Sequence, residues 1–355
     1  MWELVANSTR FFGYAPTYDR FSGSSAPPPN GTTVVNYTQR RIDFTLDWTI
    51  ANLTVDPSRG SLFGASMGGK GTALYLRHRP DRLALAVDFV GGYAKTDSPK
   101  VVPLEGTIAQ NLPTNLLGTP GITDLYWPAT VTPAGEWPPT RFVHGTNDES
   151  NGWADKPDGF RALDALRLGV CVWWDERCHS AAGGGWDGAR FLHSERHDPA
   201  LFTHFRRDRS FPALSQGDHL PGSPGSQPDP GDGSLPPPFP WGTFGGWVDW
   251  DHASIVDEPA RWSVDLFPAS NSAEPVDDSP SPMAVCTLTP RRLQAFEITP
   301  GALFSWSAWP LGGGGPSQMG TLRAGGEGTL TIEELLVSTT PCRVTLEPLG
   351  ASSHR

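Results

Sequence analysis

The sequence predicts an α/β fold with a mostly parallel sheet, followed by an all-β, sandwich-like part. Three observations predict it. Short apolar runs alternate with helix-period segments as far as Trp174; Pro, Gly, Ser and Asp crowd residues 211–246; beyond them, short apolar runs recur between Pro/Gly turns. The expected division is an α/β part over 1–210, a linker or lid over 211–246, and a β-sandwich-like part over 247–355.

The first clear element is a helix over about Tyr37–Leu53, where Ile42, Leu46, Ile50 and Leu53 recur at helical spacing beside Phe44 and Trp48. Pro57 ends that run, because it cannot continue a helix. Ser61-Leu62-Phe63 reads as a short buried strand, Gly64–Gly69 as a turn, and the chain then enters a second helix through Arg77 that stops before Pro80. Leu83–Val90 is the next strand, and residues 94–139 are rich in proline and loops. Arg141–His144 is a third strand, Phe160, Leu163 and Leu166 mark a helix, and Val170–Trp174 a fourth strand. The proline-dense segment Pro221–Pro240 is incompatible with regular structure. After it, strands are expected around Trp262–Leu266, Val285–Leu288, Leu293–Ile298, Leu303–Trp306, Gly328–Ile332 and Cys342–Leu346, and no internal repeat is visible.

At 355 residues the chain is long enough for two cores. A net charge of −11 argues against a nucleic-acid or anionic-membrane partner, which would call for a basic surface. The sequence has no apolar run long enough for a membrane span, and Met1–Asn7 lack the basic start and apolar core of a leader. A secreted or periplasmic location is nonetheless expected. Cys286 with Cys342, and Cys171 with Cys178, are the candidate disulfides. The cysteines are isolated and the acidic residues lack calcium-loop spacing, so neither a metal nor a cofactor is expected.

Gly64-x-Ser66-x-Gly68 between a strand and a helix is the arrangement that presents a nucleophilic serine. The serine occupies a strained turn, and glycines two positions to either side keep side chains from colliding with neighbouring backbone. The helix N-terminus beneath it offers free N–H groups, that of Met67 first, to a developing oxyanion. An acid and a histidine should follow in that order. Asp148, after the third strand in His-Gly-Thr-Asn-Asp, is the candidate acid, with Glu149 its nearest competitor; Asp88, inside a strand, reads as structural. Of nine histidines, His179 follows the fourth strand by one short loop and is the candidate base. His193, His197 and His204 lie in a charged segment, and His144 reads as a support for the acid loop. Trp153, Trp174 and Trp186 lie near the acid and base in sequence and, with Tyr14, are the candidate substrate-binding aromatics, core packing being the alternative for each.

Gly64–Gly69, His144–Asp148 and Trp174-Asp175-x-Arg177-x-His179, with the Val55-Asp56-Pro57-x-Arg59 lead-in, resemble the esterase branch of the α/β-hydrolases. The polyhydroxybutyrate-depolymerase-like and feruloyl-esterase-like enzymes are nearest, prolyl-oligopeptidase-type hydrolases more distant, and the similarity spans roughly Tyr37 to Trp186. The resemblance implies a serine hydrolase acting on a carboxylic ester, in a polyester or an aryl (feruloyl) ester, with Ser66, Asp148 and His179 as nucleophile, acid and base. A serine peptidase using the same residues is one alternative; an inert hydrolase whose β part binds a partner is another. The sequence departs from the pattern at Gly60, where a β-branched residue usually opens the strand, and at Cys178, where a small residue usually precedes the histidine. The fold also usually spends further strands ahead of the nucleophile, including the loop giving the second oxyanion donor. Residues 1–36 contain no such strand and loop, so a substitute donor from Gly13 or Tyr14 and an unpaired sheet edge are expected.

Overall fold

The structure is a computed structural model that describes residues 12–19, 21–22, 24–92, 95–126, 136–148, 150–153, 156–179, 204–216, 241–245, 248–268 and 283–350. Trp186, His193, His197 and Pro221–Pro240 lie outside these residues.

In chain order the α/β half runs α1 (Tyr37–Asn52), β1 (Ser61–Ala65), α2 (Met67–His78), β2 (Leu85–Phe89), α3 (Val102–Glu105), α4 (Ile122–Tyr126), β3 (Thr140–Asn147), α5 (Lys156–Ala165) and β4 (Val170–Cys178). The rest is β5 (Phe211–Ser215), β6 (Trp241–Phe244), β7 (Val248–Trp250), β8 (Val256–Glu258), β9 (Arg261–Pro268), β10 (Met283–Arg291), β11 (Leu303–Pro310), β12 (Gln318–Arg323), β13 (Ile332–Ser338) and β14 (Cys342–Pro348). Strands β1 to β4 lie side by side in order and parallel, and β6 closes the sheet antiparallel to β4. Two antiparallel sheets follow, β13-β10-β5 and β12-β11-β14-β9-β7 with β8 on β9. The α/β sheet and the C-terminal β part thus have the expected character.

Alternation along the parallel strands sends their side chains to two different cores. Ala86, Phe142, Val170 and Val172 face one way, onto Tyr75 and Leu76 of α2 and Phe160 and Leu163 of α5. Leu85, Val87, Phe89, Val143 and Cys171 face the other way, into a cluster that continues through Phe211, Leu214, Trp250, Trp262 and Leu288. A parallel sheet needs cover on both faces. Helices cover one face here, and the β part covers the other.

Several strands differ from the sequence reading. Phe211–Ser215 and Trp241–Phe244, the two ends of the segment expected to be linker or lid, are strands: β5 pairs with β10, and β6 with β4. Leu293–Ile298 is not a strand. The Asp257 carboxylate accepts the N–H groups of Gln294, Ala295 and Phe296 at 2.8, 3.0 and 2.7 Å, so those donors are not free for a ladder. The run expected at Gly328 starts only at Ile332, because Gly328 turns the chain at φ 70°. Strand β12 was hidden by its polar composition; its Gly320 lies under the Trp306 indole, leaving no room for a Cβ.

Among the described residues neither expected disulfide is formed: Cys171, Cys286 and Cys342 are buried cysteines outside any disulfide. Cys286 and Cys342 belong to different sheets, opposite Leu335 and Leu266 respectively. Cys171 and Cys178 stand seven positions apart on one extended strand, about 23 Å at strand rise, far beyond disulfide reach.

Candidate active site

The site is built where β1 turns into α2. Ser66 has φ 55° and ψ −114°, a left-handed conformation that costs a non-glycine residue on the order of 1–3 kcal/mol. Its N–H donates to the Phe89 carbonyl at 2.7 Å, which pins the turn to the end of β2. A Cβ on Gly64 would strike the Gly68 carbonyl, as expected of a glycine two positions before the serine. Gly68 differs from expectation: a Cβ there would meet nothing among the described residues. The second constrained glycine is Gly69, whose Cβ would run into the Asp88 carboxylate and the Gly91 Cα.

Asp148 leaves the carboxyl end of β3 in a tight turn, its N–H donating to Gly145 at 3.3 Å. One carboxylate oxygen accepts the N–H groups of Ser150 and Asn151 at 2.9 and 2.7 Å. The Asn151 side-chain amide donates to the Val90 carbonyl at 2.6 Å, tying this loop to the one after β2. His179 stands one residue beyond β4. Its Nε2 is 2.7 Å from Ser66 Oγ and its Nδ1 2.9 Å from Asp148, a continuous hydrogen-bonded chain assembled from the ends of three parallel strands. Burial pushes the Asp148 carboxyl up, but the Asn151 N–H, the His179 imidazole and the Lys156 ammonium outweigh it and hold the carboxyl below its ordinary value. In this arrangement Nε2 can take the serine proton while Asp148 fixes the tautomer. Met67 opens the first turn of α2, where an N–H has no intrahelical acceptor.

The other candidates fall elsewhere. Trp153 is 3% exposed and packs on Phe160 at 5.9 Å, so it belongs to the core and not to a substrate surface. Tyr14 is half-buried, its ring packed against Tyr37 and Tyr18 at 4.6 and 5.9 Å. Its N–H donates to Val35 at 3.1 Å, so it is not free for an oxyanion. Trp174 is on β4, its side chain outside the described atoms, as is all of Trp186. His204 is exposed and packs on His252 at 5.0 Å. His144 is buried between Phe142 and Phe160, and burial pushes its imidazole well below the ordinary range, consistent with a neutral support. No local signal marks Lys156, a lysine with ordinary flanks that is 1% exposed and 3.7 Å from Asp148.

No protein-family model and no curated protein matches the chain. Among solved structures it is similar to a protein described as a dienelactone hydrolase from Klebsiella pneumoniae, at 18% identity and TM-score 0.33, over 47% of this chain and 61% of that one. It is similar to a variant of Arabidopsis thaliana SOBER1 at 20% identity and TM-score 0.24, over 40% of this chain and 55% of that one. An acetyl xylan esterase from Aspergillus awamori follows at 20% identity and TM-score 0.23, over 32% and 42%. The chain thus spans about three-fifths or less of the length of these structures. No helix among the described residues is long and apolar enough to cross a membrane. With a parallel β1-β2-β3-β4 sheet, a strand–Ser66–helix elbow, and an acid and a histidine at the ends of the next strands, the chain has the α/β-hydrolase fold.

Proposed function

We propose that the protein is a serine hydrolase that cleaves a carboxylic ester through an acyl-Ser66 intermediate. The observation that carries this reading is the unbroken chain from Ser66 Oγ through His179 to the buried Asp148 carboxylate, at 2.7 and 2.9 Å. Ser66 Oγ attacks the ester carbonyl as His179 takes its proton, and the Met67 N–H receives the developing oxyanion. His179 then returns the proton to the departing alkoxide, and water, activated by the same imidazole, releases the acid. The chemistry is assigned to the part before residue 210, with Trp174, Trp186 and Tyr14 as the aromatic candidates for an aryl or polyester substrate. The seat of the reaction in an exported enzyme is part of the same proposal.

A fluorophosphonate probe and a panel of p-nitrophenyl esters and peptide anilides test it. Labelling at Ser66 with ester turnover is the expected result. Ser66→Ala should abolish labelling and reduce kcat by about three or more orders of magnitude while leaving the melting temperature nearly unchanged. Full esterase activity in that variant would overturn the assignment, and turnover of anilides with indifference to esters would redirect it to a peptidase.

A further inference from the structure

Behind the Ser66–His179–Asp148 chain lies a buried charge that the proposed reaction does not use. Lys156 is the first residue of α5 and is 1% exposed. A lysine is poorly suited to that position on two counts: burial disfavours its charge, and the N-terminal end of a helix repels a cation. Its Nζ lies 3.7 Å from Asp148 Oδ2 and has no hydrogen-bond partner among the described residues. Burial pushes the ammonium down to about 8, and the carboxylates of Asp148 and Asp88 resist that fall, so the group is still charged at neutral pH.

Asp88 is the second carboxyl, and burial pushes it up to about 7 against the opposing pull of Lys156, the Gly91 N–H and Lys70. It sits on β2, fully buried, with one oxygen accepting the Gly91 N–H at 2.9 Å and the other without a hydrogen-bond partner. Gly69 and Gly91 leave the space its carboxylate fills. Lys70 of α2, four residues past Ser66, adds a second cation whose charge acts on both Asp88 and Lys156. The titratable groups around Lys156 and Asp148 are therefore the Asp88 carboxyl and the Lys70 ammonium, together with His179 and the buried His144.

We infer that Lys156 is a positioning residue, holding Asp148 ionised and aimed at His179. The inference rests on the serine-hydrolase reading of the site. Because the ammonium lies beside the same carboxylate that binds His179, it also opposes a positive charge on that imidazole. Removing it leaves Asp148 free to favour the imidazolium, the inactive form of the base.

The test compares the full chain with Lys156→Met and with the double variant Asp88→Asn/Lys156→Met, which also removes the buried carboxyl that would otherwise be left without the nearby ammonium. The readouts are the rate of fluorophosphonate labelling at Ser66 between pH 5 and 8, the nuclear magnetic resonance titration of the His179 imidazole, and the melting temperature. Lys156→Met is expected to move the acid limb of labelling upward by about half a pH unit or more. The double variant is expected to recover melting temperature lost in Lys156→Met while keeping the displaced limb. If Lys156→Met does not fold, the double variant decides alone. An acid limb and a His179 titration that coincide with those of the unaltered chain would overturn the inference and leave Lys156 a structural residue. Should the unaltered chain fail to label, the serine-hydrolase reading falls, and the His179 titration still decides whether Lys156 acts on the imidazole.

Discussion

Ser66, His179 and Asp148 owe their geometry to backbone as much as to side chains. The serine is held in a left-handed turn by the Phe89 carbonyl, and the aspartate is locked by two N–H groups from its own loop before it meets the histidine. The Asn151 N–H acts on the charged form of Asp148, and with His179 and Lys156 it overcomes the burial of that carboxyl. The sign of the resulting pH dependence follows. A carboxyl held below its unfolded value of about 3.9 adds stability that is complete above that value and lost as pH falls through the lower folded one. Asp148→Asn should therefore melt below the unaltered chain at pH 7, with the gap narrowing below about pH 4. Melting curves from pH 3 to pH 7 check this, and a gap that widens toward acid would contradict it.

The elbow between β1 and α2 is the element on which the site depends, and its glycines are not equivalent. Gly64 has the Gly68 carbonyl against it and Gly69 has the Asp88 carboxylate, whereas Gly68 faces open space among the described residues. Gly64→Ala and Gly69→Ala should each destabilise by about 1–3 kcal/mol through overpacking. Gly68→Ala, in the first turn of a helix, should be neutral or stabilising by up to about 1 kcal/mol. Denaturant titration of the three variants separates these outcomes. Equal losses at all three positions would mean that the pattern, and not the individual contacts, sets the requirement.

For the whole molecule, the β part acts as the second cover of the parallel sheet. The cluster around Leu85, Val87 and Phe89 is continuous with the interior of the antiparallel sheets. Arg292, 8% exposed, anchors the two halves from the end of β10, its guanidinium donating to the carbonyls of Leu83 at 2.7 Å and Pro80 at 2.8 Å. Arg291 likewise donates to Arg167 at 3.0 Å and Leu166 at 3.2 Å. A fragment ending at residue 210 should therefore expose one apolar face of the sheet and aggregate, and the full chain should unfold in one calorimetric transition. Two separate transitions, or a soluble and labelling-competent fragment, would show that the halves are independent.

Local pattern determined what could be read from the sequence: helical spacing marked α1, apolar runs marked β1 to β4, and glycines at fixed offsets placed Ser66 in the turn. Chain order then pointed to Asp148 and His179, because parallel strands bring their carboxyl ends to one edge. Partners remote in sequence determined the rest. Trp153 and Lys156 carry no mark that tells a core tryptophan from a binding one, or a buried ammonium from a solvated one. Only tertiary packing decides both: the Trp153 ring lies against Phe160, and the Lys156 ammonium lies 3.7 Å from Asp148. The same holds for Leu293–Ile298, which has the composition of a strand but gives three of its N–H groups to Asp257. It holds too for Phe211–Ser215, whose proline suggested a connector but whose five residues are all buried in a sheet. Periodicity fixes which side chains share a face; what covers that face depends on the contacts the whole chain makes.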